Sequence, residues 1–281
     1  PPRSTLFPYT TLFRSELAES FYNIGYLYFE MDDSEKALPY YRQTLAIEEK
    51  LYATDHVEIA TTLNNLGGAL LICDRYQEAF QVLNRALRIQ EKSLPSDHAN
   101  IAVTRRNLGF TFLGLQNLAE AEQQVRMAAT AKGNLGTYYQ GVDLTLLARI
   151  LVQRRQFSEA QTHLRAAEKL IRDHLPPDHY RLSDVWIVWA EWANAQDRFA
   201  EAADWAQRAI TSLEKQPKEN RNYLADARAA WGQALAGQQK FAEAERVLQQ
   251  VVAHYQSPDR DAPVRKQKAI AALQAFYRAK G

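Results

Sequence analysis

The chain has 281 residues, with 34 Lys and Arg against 33 Asp and Glu, 46% hydrophobic residues and 24% charged ones. This is the composition of a folded protein with ample core, not of a disordered tail. A net charge of +1 excludes the electrostatic footprint of a general nucleic-acid binder. A single cysteine excludes an intrachain disulfide framework and a cysteine-based zinc finger, and no apolar stretch approaches the roughly 20 residues that span a bilayer.

Residues 1–15, PPRSTLFPYTTLFRS, resemble the in-frame translation of a common sequencing adapter. They are set aside from the fold reasoning as a fusion scar would be. Without Arg3 and Arg14 the rest of the chain has 32 basic and 33 acidic residues, a net charge of −1. On this reading the true N-terminus lies upstream of Glu16.

From there the chain repeats itself. Asn23-Ile24-Gly25 returns as Asn65-Leu66-Gly67 and as Asn107-Leu108-Gly109, a period of 42. Ala37, Ala79 and Ala121 keep that spacing, as do Ala160, Ala202 and Ala244, each of the last three preceded by Phe157, Phe199 or Phe241. The step from Ala121 to Ala160 is 39, so about one helical turn is missing there. Each unit predicts two helices. The first carries apolar residues at helical spacing (Leu63, Leu66, Leu70), and a polar break such as Asp74-Arg75 or Asp197-Arg198 follows. The second carries small or apolar residues at three- and four-residue steps (Ala79, Leu83, Ala86). Asp55, Asp97 and Asp178 occupy the expected N-cap positions of the next first helices. Pro95, Pro176 and Pro217 fall between units, and Pro39 suits the first turn of its helix. A last helix over 262–280, with Ala269, Ile270, Leu273, Phe276 and Tyr277, caps the stack.

These residues resemble the tetratricopeptide repeat, which wants a large residue, Leu-Gly and a Tyr-like residue on its first helix and Ala, a large residue and Ala on its second. Leu63, Leu66-Gly67, Leu70, Ala79, Leu83 and Ala86 match throughout. Phe21, Ile24-Gly25, Tyr28, Ala37 and Tyr41 match closely, whereas Arg105 departs at the large position of the third unit. The 42-residue period is similar to the long-helix subclass found in kinesin light chains and many bacterial proteins. The resemblance implies an all-α, right-handed α-solenoid of about six helix-turn-helix repeats (16–54, 55–96, 97–137, 138–177, 178–219, 220–256) and a capping helix within 257–281. A Gly or Ala at the crossing lets paired helices approach closely.

In that family the first helices line the concave face. Asn23, Asn65 and Asn107 resemble the asparagines that hydrogen-bond a bound peptide's backbone, since an amide both donates and accepts. Tyr22, Tyr26, Asn64, Arg105, Arg106 and Arg149 are further candidates on the same face, with the arginines suited to an acidic group. The competing reading has the asparagines bracing adjacent helices. Leu146, Val188 and Ala230 replace the asparagine later, so a peptide site belongs in the N-terminal half. Trp186, Trp189 and Trp192 read as core, Trp192 being the one expected to reach the surface. Gly133, Gly136 and Gly141 read as a loop between repeats three and four, or as a hinge between two halves.

Nothing in the sequence matches a Gly-rich nucleotide loop, a His-Glu-x-x-His pair or a nucleophile elbow. Of the six histidines, His56, His98 and His179 follow the three junction aspartates, a role at the repeat junctions rather than at a metal. Cys73 reads as a small buried hydrophobe. The expectation is a cytoplasmic, non-catalytic scaffold or adaptor, without cofactor or metal, that binds a protein or peptide and neither nucleic acid nor membrane. Two other readings compete: the sensor or substrate-recruiting arm of a larger bacterial signalling enzyme such as a serine/threonine kinase, and self-association through an uncapped first repeat exposing Phe21 and Tyr28.

Overall fold

The computed structural model describes residues 7–31, 33–215, 221–256 and 263–280. The helices come in pairs: α1 (Phe7–Glu30) with α2 (Ser34–Leu51), α3 (Val57–Ile72) with α4 (Tyr76–Ser93), and α5 (Ala99–Gly114) with α6 (Leu118–Ala129). The pattern continues with α7 (Tyr138–Gln153) and α8 (Phe157–His174), α9 (Tyr180–Asn194) and α10 (Phe199–Leu213), and α11 (Arg221–Gly237) and α12 (Phe241–Gln256). A last helix, α13 (Pro263–Lys280), packs against α12 and α11. Among the described residues there is no strand, and no helix is long and apolar enough to cross a membrane.

Packing explains the 42-residue period. Ala37, Ala79, Ala121, Ala160, Ala202 and Ala244 are all fully buried. They sit where each second helix crosses its partner, and the small residue opposite completes the fit. A Cβ added to Gly67 would lie 2.5 Å from Leu83 Cγ, and one on Gly232 2.8 Å from Leu248 Cγ. Successive first helices pack on one another, α7 on α9 and α9 on α11. Second helices reach their neighbours through long side chains, as in Arg42–Glu78 at 3.0 Å and Arg126–Glu159 at 2.7 Å. The stack therefore curves with the first helices inside, forming an α-solenoid. These exposed ion pairs add at most about 1 kcal/mol each.

Five of the breaks within pairs share one device. Asp74, Gln116, Arg155, Asp197 and Gln239 all have φ near +60°. Around Asp74 the N–H of Arg75 returns to the Leu70 carbonyl at 2.9 Å and that of Asp74 to Leu71 at 3.2 Å. This doubled return closes a helix C-terminus and reverses the chain.

Several expectations need correction. The N-caps of α3, α5 and α9 are His56, His98 and His179, one residue beyond the expected aspartates. Each imidazole Nδ1 accepts the N–H two residues on, at 3.1–3.3 Å. The displaced Asp55 instead pairs with Lys92 at 2.7 Å. Pro39 is the sixth residue of α2, since that helix starts at Ser34, so it lies beyond the first turn. Trp192 is only 4% exposed and donates to the Phe157 carbonyl at 2.9 Å; Trp186 is the partly exposed one, beside Arg172 and Glu168. Cys73 is buried at the end of α3. Pro217 lies outside the described residues.

The missing turn falls in the third pair. Helix α6 stops at Ala129, and a 3-10 turn over Lys132–Asn134 carries the chain to α7. Gly136 there has φ +74°, and a Cβ on Gly141 would lie 2.9 Å from Ile171 Cγ1. The glycines thus serve a tight, packed junction.

Candidate functional site

Every fourth or third residue of a first helix faces the inside of the curve, so the inner wall is a grid set by the repeat. Asn23, Asn65 and Asn107 form one row. Asn65 Nδ2 donates to the Tyr22 hydroxyl at 2.6 Å, and Asn107 Nδ2 to Asn64 Oδ1 at 3.1 Å. Thr104 donates to the same Asn64 oxygen at 3.1 Å. These bonds tie each first helix to the preceding one, which is the bracing arrangement. Asn23 heads the row and is exposed.

Tyr26 is 46% exposed, one turn further along α1. Its phenol is pushed up chiefly by Glu30, with a smaller contribution from Tyr139 of α7. Tyr139 of α7 is likewise exposed, at 42%. Tyr139 is backed by the Arg106 guanidinium, 5.6 Å from the ring centre.

The three candidate arginines are all paired. Arg105 turns away from the inner wall: it binds Glu91 of α4 at 2.7 Å and rests against Met127 of α6. It stands where other repeats place a core residue, so its aliphatic stem fills that slot while its head reaches outward. Arg106 binds Asp143 of α7, whose other oxygen accepts from Asn134 Nδ2 at 2.9 Å. Asp143 is fully buried, and burial raises its carboxyl even against the attraction of Arg106. Arg149 binds Asp184 at 2.9 Å and Glu191 at 3.1 Å. Glu191 and Asp226 are both raised by burial within this crowd of charges.

One contact has no counterpart among the sequence expectations. Asp74, in the turn between α3 and α4, meets the first turn of α13. The Arg265 N–H donates to Asp74 Oδ2 at 2.8 Å, and Arg265 Nη1 donates to the Ile72 carbonyl at 3.3 Å. Tyr76 donates to Asp74 Oδ1 at 2.7 Å. Asp74 thus caps α13 from 191 residues away, where a carboxylate complements the free amides and the helix dipole. The curve has closed on itself. Substituting Arg265→Ala together with Asp74→Asn should open it. Spin labels at Gln77 and Lys266, in a Cys73→Ala background, should report a longer and broader distance distribution; an unchanged distribution would show the contact to be incidental.

Among the described residues no cluster of three or more His, Cys, Asp and Glu residues could hold a metal ion. The inner wall offers aromatic rings, amides and paired charges. The fold and this wall define a helical-repeat protein. Residues 16–92 and 58–132 match the family model described as tetratricopeptide repeat. Residues 16–132 are thus tetratricopeptide repeats, and the helix pairs that follow continue the same fold. No curated protein sequence matches it. Among solved structures it is similar to a kinesin light chain-like repeat protein of Podosopora anserina, at 19% identity and TM-score 0.56, over 73% of this chain and 98% of that one. It is also similar to a Rap protein complexed with Competence and Sporulation Factor, at 12% identity and TM-score 0.65, over 92% and 75% of the two chains. A third neighbour is a signal transduction ATPase with a tetratricopeptide repeat sensor from Pyrococcus horikoshii, at 15% identity and TM-score 0.59, over 95% and 40%.

Proposed function

We propose that the chain is a non-catalytic scaffold that binds a peptide or an extended protein segment along the inner face of its N-terminal half. The observation that carries this reading is the exposed trio Asn23, Tyr26 and Tyr139, on helices already locked to their neighbours. Aromatic rings held on a rigid wall make low-entropy anchors, and an exposed amide can satisfy a peptide backbone of any sequence. The paired arginines frame this surface rather than waiting for a ligand. The Rap neighbour, complexed with Competence and Sporulation Factor, supports a partner-binding role for this fold.

Selection of random displayed peptides on the wild-type chain tests the proposal. Enriched peptides are expected to lose at least tenfold in affinity on Tyr26→Ala with Tyr139→Ala, while the melting temperature changes little. Enriched peptides indifferent to both changes, or no enrichment at all, would overturn the reading. A recruiting-arm role in a larger signalling protein is the second reading, favoured by the ATPase neighbour in which repeats of this fold form the sensor.

A further inference from the structure

We propose that the junction of the first two repeats holds a receptor pocket for a cationic side chain, a lysine or arginine of a bound peptide. The proposal rests on the peptide-binding reading and names the chemistry of one position in that peptide.

A cavity of about 390 Å³, open to solvent, lies between α1, the end of α2 and the start of α3. Glu19, Glu48 and Glu58 line it together with Tyr22, Tyr52 and Asn23. No lysine or arginine is among its described lining residues. Glu48 forms the floor and is only 7% exposed. Its Oε1 accepts from the Thr62 hydroxyl at 3.0 Å, but its buried Oε2 has no hydrogen-bond partner. A buried carboxylate oxygen without a donor is costly, and folded proteins rarely tolerate it without a reason. Here burial pushes the Glu48 carboxyl up to about 7, with the neighbouring Glu58 and Glu49 adding to the rise.

The neighbours make the point sharper. Glu49, next along α2, points outward and binds Arg85 of α4. Charge is therefore balanced on the outer face at this level and left unbalanced on the inner one. Elsewhere along the inner wall the buried carboxylates have their own cations: Asp143 has Arg106, and Asp184 has Arg149. Glu48 alone among these three acids faces a cavity whose charged lining residues, among those described, are all acids. An entering ammonium or guanidinium would meet the carboxylates of Glu19, Glu48 and Glu58 beside the rings of Tyr22 and Tyr52, a combination that favours cations over neutral or acidic groups. The pocket adjoins Asn23, so the side chain it holds belongs to the same segment whose backbone the asparagine would contact.

The test uses defined probes. Fluorescent acetyl-tetra-arginine amide is expected to bind the wild-type chain, and acetyl-tetra-glutamate amide is not. Glu19→Gln, Glu48→Gln and Glu58→Gln together should weaken the arginine peptide at least tenfold. Neutralising Glu201, Glu214 and Glu243, carboxylates on α10, its C-terminal end and α12, should leave it unchanged. Equal loss in both variants, or no binding of the basic peptide, would overturn the pocket. Should the triple variant not fold, zero-length carbodiimide coupling of a tetra-lysine peptide to the wild-type chain gives the answer directly: the coupled residues should be Glu19, Glu48 and Glu58, and coupling spread over other surface carboxylates refutes the proposal. Peptides selected through Tyr26 and Tyr139 remain a separate readout, so failure here is distinguishable from failure of the groove itself.

Discussion

Replacing Asp143 with Ala is expected to destabilise the folded chain by about 3–5 kcal/mol, the cost of stranding a buried charge. The residue is fully buried and holds both Arg106 and Asn134. Its loss leaves a guanidinium that is itself 8% exposed without its carboxylate, and removes the bond that anchors the short turn after α6. Asp143→Asn should cost less, because an amide oxygen still accepts from Arg106. Urea denaturation followed by circular dichroism at neutral pH measures both. A loss below about 1 kcal/mol for the alanine variant would mean that the pair is solvated in solution.

Two glycine substitutions should move stability in opposite directions. A Cβ on Gly109 would overlap Val125 Cγ2. Valine in a helix has one strongly preferred side-chain rotamer, so it does not swing aside, and overpacking of this kind costs about 1–3 kcal/mol. Gly109→Ala should therefore destabilise even though alanine is the better helix former. Gly68 stands beside the crossing glycine of its own repeat, and the nearest atom to its added Cβ is Phe29 Cε2 at 3.8 Å. Gly68→Ala should stabilise by up to about 1 kcal/mol from helix propensity alone. Thermal melts of the two variants decide it; the same sign for both would contradict the packing account.

The repeat was legible because burial imposes it. A position that must be small in one repeat must be small in all, so six alanines recur although most residues between them change. The caps were misread by one residue because capping preference favours aspartate over histidine. Only the path of the loop decides that Asp55 reaches Lys92 while His56 turns to the helix. Asp143 carried a faint signal, a single acid within the apolar run of α7, whose meaning depended on a partner 37 residues earlier. Paired arginines cannot be told from free ones by sequence: Arg105, Arg106 and Arg149 have three different surroundings on the same repeat grid. The meeting of Asp74 with Arg265 left no local trace at all, because it depends on the summed rotation of every repeat between them.

That meeting changes what kind of array this is. An open row of repeats behaves as a chain of nearest neighbours, which frays from its ends and tolerates gain or loss of a unit. Here the second repeat also holds the last helix, so unfolding α13 breaks contacts at both ends of the curve at once. Deleting one internal repeat would displace α13 from its cap, and adding one would carry it past. The closure counts the repeats, and the length of the array becomes part of its structure.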